Sequence, residues 1–213
     1  MKNRMQRCYH FLLLLTFCVL QSACRQPPNA ESSASLPDSG AAANSESLYS
    51  DSRFIERYNR AVGLMGQFKY SQAYEEFAKL LSQYPDNMEL AVDTAIARLN
   101  MAGEGDFEGG FKIFKRTLSR NSQHLRANYC VGLIESYMGP PAHPTPFLRV
   151  AAQGAPDDAD AAYLLAKSLE QDEQFEEAKK EYDRSLVLNP SYASSLLGLA
   201  RIARLSGDRS EAT

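Results

Sequence analysis

The chain has 213 residues, 44% hydrophobic and 23% charged, with a net charge of −3 at pH 7. That length suits one domain or a short array with a tail, and the composition is that of a folded protein, while the mild negative charge gives no electrostatic case for nucleic acid, which would need a basic face. A disulfide framework is excluded too, because Cys8, Cys18 and Cys24 crowd the first two dozen residues and only Cys130 lies in the body.

The first segment, "MKNRMQRCYH", carries Lys2, Arg4 and Arg7 and no acid, and the apolar run "FLLLLTFCVL" follows. Ten apolar residues are too few to span a bilayer, but a basic start, a short apolar core and then small residues is the layout of a secretory signal peptide. The next residues, "LQSAC", resemble the lipobox of bacterial lipoproteins, in which a cysteine after two small residues is lipidated and becomes the mature N-terminus. Ser22, Ala23 and Cys24 fit; Gln21 departs, since an aliphatic residue is usual there and Leu20 sits one place early. The resemblance implies lipidation of Cys24 and a place in the bacterial cell envelope, anchored at the outer membrane or periplasmic face, with plain cleavage and secretion as the alternative. The signal holds three of the 23 basic residues and none of the 26 acidic ones, so its removal takes the charge from −3 to −6. Such a chain would meet the membrane only through its lipid, where several acyl chains make a stable anchor.

Residues 25–50, "RQPPNAESSASLPDSGAAANSESLYS", hold almost no large apolar side chain and cannot bury enough surface to fold. The predicted organisation is therefore a signal peptide over 1–23, a disordered linker over 24–52, and a helical array over 53–213.

From about Phe54 the chain alternates apolar-periodic segments with short polar turns, and nothing alternates convincingly with period two, which predicts an all-α fold. Comparing the sequence with itself at an offset of 34 gives four columns in one register. Gly105, Gly139, Glu173 and Gly207 mark the turn ahead of each second helix. Phe107, Pro141, Phe175 and Arg209 follow, then Gly110, Pro144, Ala178 and Ala212, then Phe114, Leu148 and Tyr182. Ser122, Pro156 and Pro190 fall at the unit ends, where proline stops a helix. An earlier copy, "MGQFKYSQAYEEFAKLLSQYPDN", spaces Ala73 from Pro85 as Ala178 is spaced from Pro190, and Gly66 marks a turn that reads about two residues longer.

These columns resemble the tetratricopeptide repeat (TPR), a 34-residue helix–turn–helix. The resemblance implies an α-solenoid of units at about 53–87, 88–124, 125–158, 159–192 and an incomplete 193–213, with small residues where the paired helices cross and large ones filling space toward the next unit. The third unit departs most: Pro141, Pro144 and Pro146 predict a short second helix starting near Pro146. The fifth has a well-formed first helix with Leu196, Leu199, Ala200 and Ala203 on one face, and "GDRSEAT" reaches one turn into a second. The expectation is a shortened version of a longer protein. Segments such as "LRANYCVGLIESYMG" and "DADAAYLLAKSLEQDEQFEEAKKEYDRSLVLNP" are also similar to the N-terminal TPR region of exported bacterial proteins that carry FG-GAP and ASPIC/UnbV domains.

No catalytic constellation, metal set or cofactor motif is present. His124 and His143 read as solvent-facing turn residues without ligand partners. "GEGDFEGG" at 103–110 lacks the Lys-Ser/Thr of a phosphate loop and reads as a loose turn between helices. Glu173, Glu176, Glu177 and Glu181 read as a solvated face supported by lysines, and Cys130 as a small packed thiol.

What remains is a surface. In TPR proteins the first helices line a concave groove for an extended or helical peptide. Carried over by position, that groove is Arg126, Tyr129, Leu133, Ser136 and Tyr137, then Asp160, Tyr163, Lys167 and Glu170, then Leu197, Arg201 and Arg204. Tyr129 and Leu133 stand where chaperone-binding TPRs have a Lys and an Asn for a terminal carboxylate, so that clamp is absent. The expected function is a non-enzymatic interaction scaffold for another protein, with no cofactor. The alternatives are an assembly lipoprotein serving outer-membrane or pilus proteins, or the TPR arm of a larger FG-GAP/ASPIC-UnbV protein.

Overall fold

The computed structural model describes residues 51–101, 103–139 and 141–205, and among them nine helices and no strand are found. The predicted signal peptide, Cys24 and the linker up to residue 50 lie outside the described residues, as do Gly207, Arg209 and Ala212. The chain divides into two compact units, Met1–Thr117 and Leu118–Thr213.

In the first unit α1 (Ser52–Gly66) and α2 (Tyr70–Gln83) form a hairpin, followed by α3 (Met88–Asn100) and α4 (Glu104–Arg120), whose end passes the unit boundary. Helix starts are capped by side chains: Asp51 accepts from the Arg53 amide at 2.9 Å, and Asn87 from the Leu90 amide at 2.9 Å. Each satisfies a backbone donor that the helix cannot. Ala61 and Ala73 are fully buried, while Phe77 joins Leu80, Leu90 and Ala97 in one apolar cluster. The Tyr58 hydroxyl donates to Asp93 at 2.8 Å, tying α1 to α3.

The turn between α1 and α2 differs from the sequence expectation. Its left-handed residue is Phe68, with φ of 59°, and Gly66 simply ends α1. Phe68 stands five residues before Ala73, as Glu173 (φ 59°) stands before Ala178. The turn is therefore not longer; glycine was a misleading marker of where it lies. "GEGDFEGG" is also not a loose turn, because α4 begins at Glu104 and includes Gly105, Gly109 and Gly110. A Cβ on Gly110 would sit 2.8 Å from Leu99 Cγ and 2.9 Å from the Ala95 carbonyl oxygen. Its missing side chain lets α3 and α4 cross closely, the part alanine plays at Ala73 and Ala178.

The second unit runs α5 (Leu125–Met138), α6 (Thr145–Gly154), α7 (Ala159–Gln171), α8 (Phe175–Leu188) and α9 (Ala193–Leu205). Helix α6 is short and has Pro146 in its first turn, where a missing N–H costs nothing, as the three prolines led us to expect. It packs over Gly132 of α5, where a Cβ would meet Leu148 Cγ at 2.6 Å. Arg184 of α8 donates to the Ala152 carbonyl near the end of α6 at 3.5 Å and to the Pro156 carbonyl just beyond it at 2.9 Å. Tyr182, with no exposed surface, fills the space toward α9: a Cβ on Gly198 would lie 2.3 Å from its Cζ. Buried Ser195 donates to Ser185 at 2.9 Å beside it. On α9, Leu196 is 53% exposed and Ala203 2%, so the apolar stripe read from the sequence is covered only in part.

His124 is not solvent-facing. It is buried, and its Nδ1 accepts from the Ala127 amide at 3.4 Å, capping α5. It stands 34 residues before Asp158, which caps α7 by accepting from the Asp160 and Ala161 amides at 2.8 and 3.0 Å. His143 is exposed and Cys130 is buried. The acidic face of α8 pairs with arginines as well: Glu177 with Arg149 at 2.9 Å and Glu181 with Arg184 at 2.6 Å.

Candidate peptide-binding surface

Within the second unit, α7 touches both α5 and α9, so the first helices of successive repeats lie side by side. Side chains that repeat every third or fourth position along each helix therefore share one face. Tyr129, Tyr137, Tyr163 and Lys167 are half-buried on these helices, and Arg201 and Arg204 are exposed. Arg126 is half-buried near the start of α5. Leu133 is only 4% exposed and belongs to the core, so it offers a ligand almost no surface.

The centre of the face is a linked set of tyrosines and charges. Arg201 of α9 donates twice to Glu170 of α7, from Nε to Oε1 and from Nη2 to Oε2, both at 2.8 Å. The Tyr182 hydroxyl donates to the same Oε2 at 2.6 Å. Burial alone would raise the Glu170 carboxyl, but these hydrogen bonds and the charges of Arg201 and Lys167 outweigh it and hold the group below its ordinary value. The Tyr182 hydroxyl is driven the other way, by burial first and by its bond to Glu170 second.

Tyr163 lies between tilted neighbours, its ring centroid 5.1 Å from that of Tyr192 and 6.1 Å from that of Tyr182. Tyr192 in turn donates a hydrogen bond to Asp160 at the start of α7. From the other side, Lys167 Nζ lies 5.2 Å from the centroid of the Tyr137 ring, a cation–π contact between α7 and α5. The structure thus joins Tyr137, Tyr163, Lys167, Glu170 and Arg201, while no contact ties Arg204 into the set among the described residues.

Tyr192 and the polar role of Tyr182 were missed by sequence reasoning. Tyr182 was read only as a packing residue. The signal for Tyr192 was its position, 34 residues after Asp158 and 68 after His124, at a helix start where a tyrosine has no capping oxygen to offer. On this face Glu170 is held ionised by an arginine and Asp160 is engaged by Tyr192; no group of three or more metal-ligating side chains occurs among the described residues.

No family model matches the sequence, and none of the curated proteins matches it. Solved structures do match in fold. MamA 41-end from Desulfovibrio magneticus RS-1 superposes with a TM-score of 0.61 at 21% identity, covering 74% of this chain and 88% of that one. A C2221 crystal form of MamA AMB-1 gives 0.62 at 19% identity, covering 76% and 94%. MamA MSR-1 gives 0.60 at 19%, covering 76% and 91%. The resemblance to FG-GAP/ASPIC-UnbV proteins finds no support in these comparisons. Helix order, hairpin packing and these likenesses together establish a TPR-like, all-helical repeat fold for the described residues.

Proposed function

We propose that this chain is an exported, non-enzymatic interaction module whose first-helix face on α5, α7 and α9 takes an extended or helical segment of another envelope protein. The observation that carries this reading is the linked set of half-buried tyrosines, half-buried Lys167 and exposed Arg201 across three successive first helices, residues of the type that anchor protein interfaces. A repeat fold does not name its ligand, so the argument rests on the side chains and not on the fold. Export through the signal peptide and lipidation of Cys24 complete the proposal, with residues 25–50 as a tether that lets the module reach partners in the bacterial cell envelope.

Selection of displayed peptides on the purified chain tests the face. Tyr137→Ala combined with Tyr163→Ala should weaken selected peptides by tenfold or more, whereas Glu176→Ala with Lys180→Ala on the exposed side of α8 should leave them unchanged. Binding indifferent to the tyrosine pair would place the site elsewhere. The intact mass of the mature protein tests the anchor: diacylglyceryl on an N-terminal Cys24 is expected, and a mature terminus at any other residue would refute it.

A further inference from the structure

Each carboxylate on this face already has its donors. Glu170 receives Arg201 on both oxygens and Tyr182 on one, and Asp160 receives Tyr192. Two donors on α7 have no such match. Among the described residues, neither the Lys167 ammonium nor the Tyr163 hydroxyl has a hydrogen-bond acceptor; their contacts are the rings of Tyr137, Tyr182 and Tyr192. The two residues are four apart on one helix, so they project from the same face one turn from each other.

The ammonium sits in an unfavourable place for an unpaired cation. It is half-buried over the Tyr137 ring, and Arg201 across the face adds a second positive charge. Burial first, and Arg201 second, lower its pKa, against a smaller opposing pull from Glu170. An isolated fold would do better with a methionine here, whose stem covers the ring without a charge. Glu170 does not serve as its counter-ion at hydrogen-bond range: its oxygens receive Arg201 and Tyr182, and no hydrogen bond or ion pair joins it to Lys167.

We propose that the segment bound by this face is acidic, and that an Asp or Glu side-chain carboxylate of the partner is received by Lys167 and the Tyr163 hydroxyl, with Arg201 beside them. This rests on the binding reading above and adds the chemistry of the partner. A carboxylate completes the site because it accepts from both donors at once and gives the Lys167 ammonium the counter-ion it lacks, the Arg201 charge being paired with Glu170. A basic segment would meet two cations, and a neutral one would leave the ammonium without an ionic partner.

The test uses the purified chain and three pools of fluorescent, N-acetylated, C-amidated peptides that share a Tyr, Leu, Ala, Ser and Pro background. The pools differ at two positions, which are Asp/Glu, Asn/Gln or Lys/Arg. Binding is read by fluorescence anisotropy. The acidic pool should bind about tenfold or more tighter than the amide pool, as loss of a charged hydrogen-bond partner implies. Lys167→Met should remove that preference and bring the acidic pool to the level of the amide pool, while the protein melts at the same or a higher temperature. Acidic and amide pools that bind alike, or a preference that survives Lys167→Met, would overturn the acidic assignment and leave the peptide-binding face standing. A fourth pool, with the amide-pool sequence and a free C-terminal carboxylate, would overturn the side-chain assignment if it alone bound. Failure of all four pools on the wild-type chain would overturn both this inference and the reading beneath it.

Discussion

Gly198→Ala adds one methyl group where the account allows none. The new Cβ would lie 2.3, 2.6 and 2.6 Å from three Tyr182 ring carbons, against the roughly 3.5–4.0 Å of a comfortable carbon contact. The ring cannot swing clear, because Tyr182 is wholly buried and its hydroxyl is held by Glu170 at 2.6 Å. Helix α9 would have to back away by more than 1 Å, as the difference between those distances requires. Overpacking of this kind costs about 1–3 kcal/mol, offset by about 1 kcal/mol of better helix propensity. The net expectation is a loss of about 0–2 kcal/mol, or a fall of up to roughly 8 °C in melting temperature for a chain of this size. Gly63→Ala is the control: it lies inside α1 with nothing within 4 Å of its added Cβ, so the same methyl should stabilise by about 0.5–1 kcal/mol. Urea titrations followed by circular dichroism would measure both. Tyr182→Leu should relieve the Gly198→Ala penalty in a double-mutant cycle. If Gly198→Ala proved as benign as Gly63→Ala, the packing of α9 on Tyr182 would be wrong, and with it the stacking of the last two first helices.

Glu173→Gly should stabilise by about 0.5–1 kcal/mol, since it removes an exposed side chain from a left-handed backbone; thermal melts would show it, and Phe68→Gly should gain less because it also loses the Phe68–Tyr70 ring contact. Asp158→Ala should cost about 1 kcal/mol by uncapping α7, two of whose first amides donate to that side chain, and hydrogen exchange should quicken in the first turn. The Glu170 carboxyl has its pKa depressed in the folded state, so its contribution to stability is present above its ordinary value near 4.5 and is lost as the pH falls through the lower folded value. Glu170→Gln should therefore flatten the acid limb of the stability profile below about pH 4.5 while lowering stability at neutral pH.

The repeat was legible because its columns are set by packing that any unit must satisfy. Ala178 is small where α7 and α8 cross, Tyr182 is large where α9 arrives, and both recur at the same offset. Less was legible where two residue types can solve one geometric problem. Gly66 looked like the turn and Phe68 is the turn, because a single left-handed residue is affordable for a phenylalanine. Gly110 looked like loop and is a helix crossing, because glycine breaks helices in isolation but lets two of them approach in a packed unit. His124 looked exposed since histidine is rarely a cap, yet its ring nitrogen does what aspartate does at Asp158. For the binding face, periodicity placed Tyr163 and Lys167 on one side of a helix. It could not reveal that Glu170 is satisfied and Lys167 is not, because that depends on Arg201 and Tyr182, which reach it from 31 and 12 residues away.

The central claim is that the face of α5, α7 and α9 binds a protein segment, and site-specific photocrosslinking in intact cell envelopes tests it most directly. A benzoylphenylalanine placed at Tyr137 or Tyr163 should give one discrete adduct with another envelope protein, weakened when Lys167→Met is added. The same probe at Glu176 or Lys180 on the exposed side of α8 should give none. Adducts that form equally from both sides, or from the α8 positions alone, would contradict the account.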